Sequence, residues 1–107
     1  MSLQSFYDSA FTREMGCTEA EWLGWLPAAI GDCPWERHGA SVRVTIHDAD
    51  NASVGHLKIE WSIEPSRRIA LIKIPRMRVS FTFDGLDDAQ RYRFMRRFDL
   101  YMHRGGG

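Results

Sequence analysis

Three arginines, Arg93, Arg97 and Arg104, recur at spacings that bring them within about 40° of one another on a helix, and they form the strongest chemical constellation in this sequence. Guanidinium groups aligned in that way could hold phosphates or carboxylates bidentately. Arg76 and Arg78, with Arg67 and Arg68, would extend the patch from upstream. The competing expectation is structural, since arginines late in a helix complement its dipole and find acidic partners within the chain.

Charge is sorted along the chain in a way that favours the second expectation. Residues 1–66 carry ten acidic and four basic side chains, residues 67–107 four acidic and ten basic, and the total is zero. An isoelectric point near neutrality also argues against a dedicated nucleic-acid binder, which usually shows a basic domain. Internal or intersubunit pairing is therefore expected, with nucleic-acid binding through the arginine-rich C-terminal helix as the alternative.

Other reactive types lack a pattern. His38, His47, His56 and His103 fall on different segments and have no short-range ligand spacing with Cys17 or Cys33, so no metal site is expected. The two cysteines read as free and structural, because nucleophilic catalysis would show a base held beside them. Glu19 with Glu21, and Asp87 with Asp88, fit first-turn helix charges better than an acid/base pair. No catalytic residue and no cofactor is assigned. The expectation leans away from an enzyme.

The length of 107 residues suits one domain, placed at 1–104, with Gly105–Gly107 as a flexible tail. Thirteen aromatic residues supply much of the core volume. No apolar run approaches the ~20 residues of a membrane span, and no secretion signal opens the chain, so a cytoplasmic protein without membrane contact is expected.

The periodicity gives the elements that must carry these residues. Leu3, Phe6, Tyr7, Ala10 and Phe11 share one side of a helix running to Met15, and Thr18–Glu21 is a capping box that opens a second. Pro27 either kinks that second helix or starts a short continuation. Alternation then sets in at Val42–Ile46 and at Leu57–Ile63, with Trp35–His38 as a short edge strand. Residues 69–74 are largely apolar on both faces, as a central strand would be, and Pro75 separates them from a last strand over Met77–Phe83. Asp87 and Gln90 cap a final helix to about Arg104, whose Phe94, Met95, Phe98, Tyr101 and Met102 face the sheet.

The result is an α+β, two-layer sandwich: two N-terminal helices, an antiparallel sheet of four or five strands, and a C-terminal helix packed on the sheet. The open sheet face would present polar residues around an apolar centre of Ala70, Ile72 and Ile74, which is how an interface is built.

The order of elements is similar to a shortened helix-grip, lipid-binding domain, which implies a small apolar ligand between sheet and C-terminal helix. The first strand of that fold is missing here, and aromatic side chains would equally fill the space. The terminal Gly-Gly looks like that of ubiquitin-like sulfur carriers, although here it follows a helix instead of a strand. Phe94–Gly107, together with Met15–Trp22, resembles a small uncharacterised proteobacterial protein family. That resemblance implies a complete bacterial protein and assigns no site residue. The leading expectation is a non-enzymatic cytoplasmic interaction or accessory protein that forms a homodimer.

Overall fold

Thr18 fixes where the first helix begins. Its hydroxyl oxygen accepts from Glu21 N at 3.1 Å while the Glu21 carboxylate accepts from Thr18 N at 2.9 Å, so two donors at the helix start are satisfied reciprocally. Helix α1 follows over Glu19–Ile30 and continues through Pro27. The computed structural model describes residues 6–48, 50 and 52–104, the last without its side chain. Its elements are β1 (Ala10–Met15), α1, β2 (Trp35–His38), β3 (Ser41–His47), β4 (Ser53–Ile69), β5 (Ile72–Asp84) and α2 (Asp88–Arg104).

The five strands make one sheet in the order β1-β5-β4-β3-β2, with every neighbouring pair antiparallel. Val42, Val44 and Ile46 of β3, Leu57, Ile59 and Trp61 of β4, and Met77, Val79, Phe81 and Phe83 of β5 are buried on one face. This follows from the two-residue period of a strand with one face covered. The cover comes from Trp22, Leu26 and Ile30 of α1 and from Phe94, Met95, Phe98 and Met102 of α2. Phe98 meets Phe81 edge-on at 5.6 Å and Trp22 at 6.2 Å between ring centroids. The cap expected for α2 is present, with Gln90 N donating to Asp87 Oδ1 and Asp87 N to Gln90 Oε1, both at 2.8 Å.

Two expectations are corrected. Of the helix expected from Leu3 to Met15, Leu3 lies outside the described residues and Ala10–Met15 is instead strand β1, so among the described residues one helix precedes the main strands and not two. Phe11, Arg13 and Met15 alternate with exposed Thr12 and Glu14. The spacing of Phe6, Tyr7, Ala10 and Phe11 satisfies a helical period locally, but β5 offers a backbone edge from Met77 to Thr82, and Phe11 stacks on Phe81 at 4.8 Å once extended. Tertiary pairing outweighs the local pattern.

The second correction concerns residues 69–74, which are not a separate central strand. They form the end of a long hairpin in which β4 and β5 both run past their prolines, and the apolar residues lie at its tip instead of the middle of the open face. The register shifts between Glu64, opposite Arg76, and Arg67, opposite Ile74. Pro65 and Ser66 therefore oppose Pro75 alone, which is the two-against-one count of a β-bulge. Prolines are tolerated at a bulge because no ladder donor is lost there. The Gly105–Gly107 tail lies outside the described residues.

Candidate functional site

The hairpin beyond the bulge stands outside the two-layer body. β1 reaches only to Met15 opposite Met77, and β3 starts at Ser41 opposite Glu60, so among the described residues no strand flanks the outer rungs of β4 and β5. The largest dimension of the molecule is 51 Å against 30 and 22 Å. At the tip Ile69 is 54%, Leu71 96% and Ile72 64% exposed. Ala70 occupies the turn with φ of +53°, in the left-handed region where a side chain is disfavoured.

The rungs sort the chemistry of this arm. Ile69 pairs with Ile72, Arg68 with Lys73 and Arg67 with Ile74, and paired residues share a face while successive rungs alternate. Ile69, Ile72 and half-buried Ile74 thus line one face together with Arg67 at its base, and Arg68 and Lys73 line the other. Of the expected interface residues, Ile72 and Ile74 come together on one face and Ala70 is the turn beside them.

Three strand arginines, Arg67, Arg76 and Arg78, are ion-paired at the base of the arm. Arg76 Nη2 lies 3.1 Å and Arg67 Nη2 3.5 Å from the Glu14 carboxylate, and Arg78 Nε lies 3.0 Å from Glu64 Oε1. The hydrogen bond from Arg76 holds the Glu14 carboxyl below its ordinary range. Arg76 and Arg78 are therefore paired within the chain, apart from α2.

On α2 the expected stripe divides. Arg97 lies over the Tyr101 ring at 4.5 Å and its Nη2 faces Ala28 O at 3.4 Å, so close to Gly31 that a Cβ there would meet the guanidinium at 2.6 Å. The last turn of α1 has no basic residue of its own. Arg97 supplies that charge from the neighbouring helix, where the carbonyl end favours a cation. Arg93 is exposed, as is Arg96, which the sequence reading passed over although it falls about 60° from Arg93 on the helix. These two border a shallow depression of about 620 Å³ with Tyr92 and Leu100. Neither forms an ion pair among the described residues. The side chain of Arg104 lies outside the described residues.

No protein-family model, curated protein or solved structure matches this chain.

The remaining reactive groups are placed by the fold. Cys17 is buried, and burial followed by the nearby Glu21 pushes its thiol above the ordinary range, which suppresses the thiolate a nucleophile needs. Cys33 is half-buried and free. Among the described residues no three His, Cys, Asp or Glu side chains gather as metal ligands would. His38 and His56 border one open depression of about 450 Å³ on the polar sheet face with Arg43, Lys58 and Asp84. Between sheet and α2, where a helix-grip domain would hold its ligand, Phe81, Phe83, Phe94, Met95 and Phe98 fill the space, each 8% exposed or less. No helix is long and apolar enough to cross a membrane.

Proposed function

We propose that this chain is a non-enzymatic cytoplasmic interaction protein that self-associates as a homodimer through the projecting hairpin. One observation carries the reading. Ile69, Leu71 and Ile72 stand clear of the body at the end of an arm, and exposure of that size is what association removes. The bulge supports docking by side chains, because prolines at both edges of an arm hinder the addition of another strand. The raised pKa of the Cys17 thiol and the ion-paired state of Arg76 and Arg78 favour a binding role over catalysis.

Sedimentation velocity at micromolar concentration tests the reading. The wild-type chain should sediment at twice its 12.4 kDa mass. A variant with Leu71→Asp and Ile72→Asp should sediment as a monomer with an unchanged circular dichroism spectrum. A wild-type monomer would remove the proposal.

A second reading, nucleic-acid binding, rests on Arg93 and Arg96, which have no ion-pair partner among the described residues. It predicts retention of a labelled oligonucleotide at low salt, falling steeply as salt rises. Arg93→Gln with Arg96→Gln should abolish retention, and no retention by the wild type would discard this reading.

A further inference from the structure

The long axis of the molecule is electrically polar. At the arm end Arg68 and Lys73 have no ion-pair partner among the described residues, and they sit on the rung behind the apolar tip. The opposite end of the same two strands gathers aspartates. Asp84 closes β5 opposite His56, and Asp8 adjoins it, since Phe83 N donates to Ser9 O at 2.7 Å. Asp48 and exposed Asp50 belong to the β3–β4 connection at that end, where His47 pairs with Ser53 and Gly55 abuts the backbone of Asp84. Asp88 is already paired with Arg91, whereas Asp8, Asp50 and Asp84 form no ion pair among the described residues, with Asp84 bordering the same depression as His56, Lys58 and Arg43.

Building on self-association through the arm, we infer that the second copy lies antiparallel to the first, with each arm set against the aspartate end of the other. Two arms meeting by their Ile69 and Ile72 faces would turn Arg68 and Lys73 outward and leave both these cations and the aspartates without opposite charges. Pairing arm edges into a continuous sheet is hindered by Pro65 and Pro75. An antiparallel pair avoids both and closes on itself: the same contact is made twice about one two-fold axis, so association stops at two. Opposite charges fix the direction while Ile69, Leu71 and Ile72 supply the apolar burial.

Two charge-reversed variants test this geometry. The first carries Arg68→Glu and Lys73→Glu, and the second Asp8→Lys, Asp50→Lys and Asp84→Lys, positions outside the helix caps and the core. Alone, each places like charge against like charge and should be monomeric. Mixed in equal amounts, they restore both contacts and should form a heterodimer, visible as the mixed mass in native mass spectrometry. If each variant dimerises alone, or if both stay monomeric when mixed, the antiparallel geometry is overturned while self-association through the arm stands. A monomeric wild type removes both.

Should a variant fail to fold by circular dichroism, the wild type still decides. Its dimer dissociation constant should weaken about tenfold or more between roughly 20 and 300 mM salt, and a flat salt profile overturns the inference.

Discussion

Tyr7 donates its hydroxyl proton to Asp99 at 2.6 Å across 92 residues of sequence, joining the segment before β1 to the inner side of α2. Asp99 also accepts from Arg13 Nη1 at 2.7 Å and is 6% exposed. One carboxylate on the last helix thus holds a phenol and a guanidinium from the start of the chain. Arg91 reinforces the closure by donating through Nε to Tyr7 O at 2.9 Å and through Nη1 to Leu86 O at 2.8 Å.

Replacing Asp99 by alanine should destabilise the fold strongly. It leaves the Arg13 charge, whose side chain is 22% exposed, and the Tyr7 hydroxyl without their partner. The expected loss in urea denaturation is about 3 kcal/mol, the low end for breaking a buried pair because Arg13 keeps some contact with water. Tyr7→Phe removes one hydrogen bond to a charged group and should cost about 1.5–3 kcal/mol. A loss below about 1 kcal/mol for Asp99→Ala would show that the carboxylate does not organise this closure.

Alkaline stability should depend on Tyr7. Burial, and then the hydrogen bond to Asp99, pushes its phenol above the ordinary value of 10.0. Below that value both folded and unfolded chains keep the proton, and the stabilisation is complete. Above it the unfolded chain loses a proton that the folded chain retains, so stability falls as pH rises. The thermal midpoint should drop between about pH 10 and 11.5 in the wild type and by less in Tyr7→Phe.

Glu14 should respond at the acid end of the scale. The hydrogen bond from Arg76 lowers its carboxyl below the ordinary 4.5. Its contribution is present above that value and disappears as pH falls through the lower folded one. Carboxyl-carbon NMR titration should show Glu14 titrating below 4.5 in the wild type and returning toward it in Arg76→Gln. An unchanged titration in the variant would mean that the ion pair is not formed in solution.

The two thiols should separate kinetically. Cys17 is buried with a raised pKa, whereas Cys33 is half-buried. An aromatic disulfide reagent should label Cys33 in the native protein and Cys17 only on unfolding. Equal rates in the native state would contradict the burial of Cys17.

Much of this arrangement could be read from residue order. The Thr18–Glu21 and Asp87–Gln90 pairs announced both helices because capping is local chemistry, and the alternation through Val42–Ile46 placed β3. β1 was hidden because what makes it extended is distant: Asp99 for Arg13 and Phe81 for Phe11. The hairpin was hidden for another reason. Pro75 reads as a break between separate strands, and only its opposition to Pro65 and Ser66 across one bulge lets β4 and β5 run on. The interface residues Ile72 and Ile74 were singled out for being apolar on both faces, a signal that a central strand and an uncovered arm share. Arg97 was legible as part of a stripe but not as the cation for the end of α1, since that role depends on how two helices meet.

The bulge at Pro65 and Ser66 has a consequence that is arithmetic. With the pairing set by Glu64 opposite Arg76, an uninterrupted ladder would place Ser66 against Ile74, Arg67 against Lys73 and Arg68 against Ile72. Cations and isoleucines would then be mixed on both faces. The bulge takes one residue of β4 out of the ladder, so that Ile69 meets Ile72 and Arg68 meets Lys73, and it leaves Ala70 and Leu71 as a two-residue turn. The amphipathic character of the arm is therefore encoded by a count of residues as well as by their kinds. Deleting Ser66 would remove the bulge and leave both faces of the arm as they are, whereas keeping Ser66 in an unbulged ladder would scramble them.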